Sequence, residues 1–277
     1  METIERLEWN PEGEPIVAPV LFVHGLFLRA SAWTRTAGRL RDAHGLRSVA
    51  ISLPGHGGSS MHKGELDYYN VEDYVNPIAR VIERMDERPV VVAHGAAALF
   101  VRRLLEEREH ASHQTQPFPA LALVAPMPVA GLGPWLARYR GRHRLHALTK
   151  RPAANPARFF DDARRARTEL LAKGDATPET EWFAHVGSES RQVIEQLERG
   201  VKLLQKRFQP RARVFAPAGD AWFERGETAT IERDLGADVV EVAGAGHAAM
   251  LGAGAEPLAD ALAAWCGEIR DGLTNAP

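Results

Sequence analysis

Asp220 and His247 are the two side chains in this sequence best placed to move a proton between them. Asp220 closes the run Phe215-Ala216-Pro217-Ala218-Gly219-Asp220, an apolar strand pattern that ends in a turn. Further on, Gly244-Ala245-Gly246-His247-Ala248 places an imidazole in a glycine-flanked loop, where packing gives no reason for a histidine. A carboxylate fixes the tautomer of an imidazole and stabilises its cation, while the imidazole carries the proton. Such a dyad works best beside donors that hold a developing oxyanion. The N–H of Leu26, after Phe22-Val23-His24-Gly25, is one candidate, and the N–H of Ala96, at the start of a helical run, is the other. The missing partner is a nucleophile. Ala93-His94-Gly95-Ala96-Ala97 lies between a strand run and a helix run, where a Gly-x-Ser-x-Gly elbow would carry its serine on a sharp turn. The central position is Gly95, which has no side chain to attack with.

These residues fall at the ends of short apolar runs, where ligands bind in open α/β sheets. The runs are Pro19–Val23, Arg47–Ser52, Pro89–Ala93, Leu121–Ala125, Arg213–Pro217 and Asp238–Val242, with Thr3–Trp9 as a candidate edge strand. Helical patterns occupy Ser31–Ala43, Val71–Met85, Ala96–Glu107, Thr228–Leu235 and Pro257–Ile269. Asn70 is the expected N-cap of the second, with Glu72 and Asp73 in its first turn, and Pro77 as a candidate kink. The alternation predicts an α/β fold, a mostly parallel central sheet with helices on both faces. Ser52-Leu53-Pro54-Gly55-His56-Gly57-Gly58-Ser59-Ser60 reads as a loop, in which Ser59 and Ser60 are expected to stabilise the turn rather than react.

The rhythm breaks between about Met127 and Gln209, which has helical periodicity and no strand pattern. The chain therefore divides into an N-terminal core part at 1–126, a helical cap at 127–209 and a C-terminal core part at 210–277. Arg138, Arg140, Arg142, Arg144, Lys150, Arg151, Arg158, Arg164, Arg165 and Arg167 make the first half of the cap basic, and its second half is acidic. Two solvated faces that partly pair are the plainer explanation; a basic lid that attracts an anionic ligand is the alternative. The interspersed aromatics, Trp135 among them, are expected to pack cap on core.

The chain has 277 residues, 45% of them hydrophobic and 25% charged, with a net charge of −2. That balance suits a globular protein with a large core and offers no global field for nucleic acid. No run approaches the ~18 apolar residues that span a bilayer. The one cysteine, Cys266, fits a reducing compartment, and with no signal-peptide pattern at the N-terminus a cytoplasmic location is expected. A small-molecule ligand is expected as partner, with no cofactor and no metal; the composition leaves the oligomeric state open.

Together the motifs identify a resemblance. Val23-His24-Gly25 is similar to the oxyanion segment, Leu53-Pro54-Gly55-His56-Gly57 to the Pro-Gly-His-Gly loop, Ala93–Ala97 to the elbow and Gly246-His247 to the histidine turn of the α/β-hydrolase superfamily. The chain resembles its bacterial capped esterase, lipase and lysophospholipase-like members, with glycine in place of the nucleophilic serine. The segment Ala125–Leu132 resembles the entry to their cap. The resemblance implies catalytic roles for His247 and Asp220, with Gly95 at the nucleophile position. It implies oxyanion donors at Leu26 and Ala96, and His24, Gly25, His94 and Trp135 facing the ligand. For His24 a hydrogen-bonded structural role is the alternative. The implied activity is that of an esterase-like pocket for a small ester or carbonyl ligand without a covalent route. Lyase- or hydratase-type catalysis by the dyad, ligand binding by an inactive relative, and a variant of an active serine enzyme are the alternatives.

Overall fold

The computed structural model describes residues 3–13, 19–111, 115–142, 159–160, 162–203 and 209–274. Seven strands form a single sheet: β1 (Arg6–Trp9), β2 (Val20–Val23), β3 (Ser48–Ile51), β4 (Val90–His94), β5 (Ala120–Val124), β6 (Arg211–Gly219) and β7 (Asp238–Gly246). Their order is β1-β3-β2-β4-β5-β6-β7. Only β1 runs antiparallel, against β3 at the edge, as its alternating pattern suggested. The other pairings are parallel, with Val20–Val23 in register with Val90–Ala93 at the centre.

Every residue of β2, β3, β4 and β5 is buried. Strands buried on both faces read as continuous apolar runs, which is why their positions were legible. The covering helices are α1 (Thr34–His44), α2 (Val71–Glu83), α3 (Ala97–His110), α7 (Arg225–Leu235) and α8 (Ala255–Thr274). Helix α2 opens on a capping box: the Asn70 side chain accepts from the Glu72 and Asp73 N–H groups, and Asp73 accepts from the Asn70 N–H. It runs on through Pro77, whose ring is buried. The pattern expected from Ser31 begins instead as a 3-10 turn, Ala30–Trp33, before α1.

Between β5 and β6 the described residues contain no strand. They hold α4 (Gly133–Arg142), α5 (Ala163–Leu170) and α6 (Arg191–Glu198), together with short helical turns at Glu179–Trp182 and Phe183–His185. Arg144, Lys150, Arg151 and Arg158 lie outside the described residues. The arginines of α4 end on carboxylates: Arg138 on Glu227 at 2.7 Å, Arg140 on Glu198 at 3.1 Å and Arg142 on buried Glu169 at 3.0 Å. Two of these acids belong to the insertion's own later half, so its charges partly cancel within the fold. Among the described residues, no helix is long and apolar enough to cross a membrane.

Candidate active site

The turn from β4 into α3 depends on small residues. Gly95 adopts a left-handed backbone, φ 53°. Its N–H donates to Val124 O at 3.0 Å and its carbonyl accepts from Met127 N at 3.0 Å, which ties the turn to the end of β5. Ala96, Ala97 and Ala98 are buried and let α3 approach the sheet closely. Ala96 caps the helix without a side-chain bond, so the positive end of α3 is left open toward the turn. The N–H groups of Leu26 and Ala96 donate to no oxygen of the described residues.

Gly25 lies hard against this turn. A Cβ on Gly25 would come within 2.6 Å of His94 Nδ1 and 2.9 Å of His94 O, so only glycine allows the approach. Among the described residues just two non-glycine residues have positive φ: Ala125 at 44°, next to Val124 that accepts the Gly95 N–H, and Phe27 at 63°, two residues after Gly25. Left-handed backbone costs a non-glycine residue about 1–2 kcal/mol, which the surroundings must supply.

Asp220 and His247 meet as their order along the chain suggested. His247 Nδ1–H donates to Asp220, with oxygens at 3.1 and 3.3 Å. Asp220 Oδ1 also accepts the N–H groups of Trp222 at 2.7 Å and Phe223 at 3.2 Å, which fix the carboxylate in the turn after β6. On its other side the imidazole faces Gly95: a Cβ there would lie 3.5 Å from His247 Nε2 and 3.8 Å from Gly25 Cα. Nε2 makes no hydrogen bond among the described residues. The ring is 3% exposed and stacks on Trp222, centroids 4.3 Å apart at 2°.

The other candidate residues are placed differently. His24 is fully buried, its Nδ1–H donates to Gly25 O at 2.8 Å, and its Nε2 accepts from Leu53 N–H at 2.9 Å. Both ring nitrogens are spent on backbone, so the ring braces two loops. Burial, then the nearby His56, hold it well below the ordinary imidazole range. His94 donates from Nε2 to His247 O at 2.9 Å. Burial, followed by the neighbouring His247, pushes the His94 imidazole down to about 3, so it stays neutral and braces the histidine loop. Trp135 is buried, bonds Glu169 through its indole N–H at 3.3 Å and stacks on Trp222 with centroids 4.1 Å apart. Phe27, Phe159 and Phe160 join the same ring cluster. Ser59 and Ser60 hold loops: Ser59 Oγ donates to Ser52 O at 2.6 Å, and Ser60 Oγ accepts Thr3 N–H at 2.8 Å.

Two side chains at the site escaped the sequence reading. Trp222 had a weak local signal, an aromatic two residues after the acid. Glu189 had none; it reaches the Leu26–Phe27 loop only through the tertiary fold, accepting the Phe27 N–H at 3.3 Å.

The arrangement leaves the Leu26 and Ala96 N–H groups without an acceptor among the described residues and places His247 Nε2 opposite Gly95, free to take up a proton. The model of the Alpha/beta hydrolase family matches residues 20–261. No curated protein matches the chain. Among solved structures, an esterase from Thermogutta terrifontis is 14% identical over 97% of this chain and 94% of its own, with a TM-score of 0.70. A membrane phospholipase A, described as a bacterial virulence factor, is 19% identical over 99% of this chain and 84% of its own, with a TM-score of 0.72. A serine-to-glycine mutant of the N-acyl homoserine lactonase AidH, complexed with N-hexanoyl homoserine lactone, is 19% identical over 97% of each chain, with a TM-score of 0.65. At these identities the likeness speaks for the fold alone.

Proposed function

This chain belongs to the alpha/beta hydrolase family, and we propose that it carries an esterase-like pocket for a small ester or carbonyl ligand in which Gly95 stands at the nucleophile position, closing the covalent route. The observation that carries this reading is the distance from His247 Nε2 to the Cβ position of Gly95, 3.5 Å. A base directed at a residue with no side chain is what a serine site looks like without its serine. The helical insertion at 127–209 acts as the cap over this pocket. Leu26 and Ala96 hold the ligand's carbonyl oxygen, and Trp222 keeps the imidazole in plane for its contact with Asp220. The similar AidH mutant, itself a serine-to-glycine change, holds a lactone, a cyclic ester; the proposed ligand is of the same chemical kind. The lone buried cysteine, Cys266, suits a reducing cytoplasm.

A second reading follows from the dyad. With Nδ1 committed to Asp220 and Nε2 free of hydrogen bonds among the described residues, His247 is a complete general base without any nucleophile. It could draw a proton from a bound water or from the ligand, giving lyase- or hydratase-type chemistry. General-base work contributes about 10²–10⁴ in rate, enough for an easy elimination or hydration. A pure ligand-binding pseudoenzyme would not need the dyad, so ligand affinity that survives both His247→Ala and Asp220→Asn would favour that case.

The test is Gly95→Ser, assayed on short p-nitrophenyl esters and with a fluorophosphonate label. The expected result is new esterase activity and covalent labelling, both abolished by adding His247→Ala. A Gly95→Ser protein that folds yet neither hydrolyses nor labels would retire the hydrolase-derived pocket.

A further inference from the structure

The residue after the candidate oxyanion donor Leu26 is held by the helical insertion rather than by its own loop. Phe27 is left-handed, φ 63°, a conformation that a phenylalanine leaves unless something retains it. Both of its backbone polar groups are taken by one segment of the insertion. Its N–H donates to Glu189 Oε2 at 3.3 Å, and its carbonyl accepts Gly187 N–H at 2.7 Å. The contact continues along the loop, where Arg29 donates to Val186 O at 3.2 Å.

Glu189 is itself built in. Its side chain is 1% exposed. Oε1 accepts the Tyr74 hydroxyl at 2.7 Å and the Ser190 N–H at 2.7 Å, and Oε2 lies 3.3 Å from His56 Nε2. The His56 contact is an ion pair whose angle falls outside hydrogen-bond geometry. A buried carboxylate is costly unless it is paired and hydrogen-bonded. This one is, and the one donor it takes from the Leu26 loop is the Phe27 amide.

We propose that Glu189 is a positioning residue for the oxyanion hole: by gripping the Phe27 amide it fixes the Leu26–Phe27 peptide plane, which is joined through the Leu26 Cα to the peptide that carries the Leu26 N–H, and so restrains where that N–H can point. The catalytic consequence rests on the function proposed above; the grip on Phe27 does not. Burial would depress the His56 imidazole, but Glu189 raises it above its ordinary value. Burial would raise Glu189, but His56, Tyr74 and the Ser190 N–H hold it below the usual carboxylate range. Glu189 is therefore a carboxylate at neutral pH, and an N–H donated to a carboxylate is stronger than one donated to an amide.

Amide exchange of Phe27, read by NMR on the full chain, tests the grip. Glu189→Gln should speed that exchange about tenfold relative to amides of β5, which should not change. Tyr74→Phe, which removes one of the carboxylate's donors and keeps its charge, should give a smaller acceleration and serves if Glu189→Gln fails to fold. Unchanged Phe27 exchange in a folded variant would overturn the proposal. In the Gly95→Ser protein, adding Glu189→Gln should lower kcat on p-nitrophenyl acetate about a hundredfold with KM nearly constant, the signature of a lost oxyanion donor. A rise in KM at constant kcat would overturn the positioning role. If Gly95→Ser alone shows no esterase activity, the proposed function falls, and Phe27 exchange by itself decides this inference.

Discussion

The strand-end loops that form the floor of the site and the helical insertion packed on them are held by different forces. The floor is a matter of backbone: left-handed Gly95, Phe27 and Ala125, and Gly25 pressed on His94. The insertion is a matter of side chains: Trp135 stacked on Trp222 of the turn after β6, and arginines closed on carboxylates. Among their contacts in the described residues, two are backbone seams, where Phe27 is clasped by Gly187 and Glu189, and where Ala248 N–H donates to Leu170 O at 2.9 Å. Backbone-built regions resist change at single atoms and are intolerant of a methyl group. Side-chain-built regions spread their stability over many replaceable contacts. The contrast can be broken or sharpened by substitution on either side.

The largest effect belongs to the floor. In Gly95→Ser, adding His247→Ala should lower turnover by up to about 10⁶, measured with p-nitrophenyl acetate. Asp220→Asn should cost roughly 10⁴ through the wrong imidazole tautomer. Retained activity in either would mean that the dyad is not the base.

Next comes the buried seam. Glu189→Ala leaves His56 without its counter-charge and should destabilise the fold by about 3–5 kcal/mol in urea titrations. Its pH dependence has a definite sign. Glu189 lies below its ordinary value, so its share of stability is present above about pH 4.3 and is lost as pH falls through the folded value. His56 lies above its ordinary value, so its share is present below about pH 6.5 and is lost as pH rises through the folded value. The pair therefore contributes most between about pH 4.3 and 6.5, and Glu189→Ala should narrow its gap from the parent on either side of that window.

A methyl group at the second seam tests the backbone argument. A Cβ on Gly246 would lie 2.2 Å from Leu171 C and 2.4 Å from Ala172 N, backbone atoms with little room to yield. Gly246→Ala should cost about 3 kcal/mol and loosen the histidine loop. A neutral result would show that the insertion slides freely on the floor.

Gly95→Ser should cost less, about 1 kcal/mol. Its Cβ meets only ordinary contact distances, so left-handed strain is the main penalty. Smallest of all, Arg140→Gln breaks a pair that is 40% exposed on the arginine and 29% on Glu198. It should change stability by less than about 1 kcal/mol. If the same change slowed capture of an anionic ligand but not of a neutral analogue, the basic half of the insertion would regain a steering role.

The sheet was legible because β2 to β5 are buried on both faces and so read as unbroken apolar runs, bounded by glycine and proline. The N-cap at Asn70, the strand-free run of the described residues before Gln209, and the meeting of Asp220 with His247 were legible for the same kind of reason, since local pattern and chain order specify them. Strand ends shifted by up to four residues, the most at β7, which runs on to Gly246, because hydrogen bonding to a neighbour, not composition, decides where β6 and β7 stop. Other assignments needed the folded chain. The sequence contains His24 and His94, but only packing shows both ring nitrogens of His24, and Nε2 of His94, spent on backbone. It contains Trp222 and Glu189, but their roles arise from contacts with residues 25, 115 and 162 positions away in the chain. Periodicity and turn chemistry report on near neighbours in sequence. The partners of a buried polar or aromatic group are chosen by proximity in space, which the tertiary structure alone supplies.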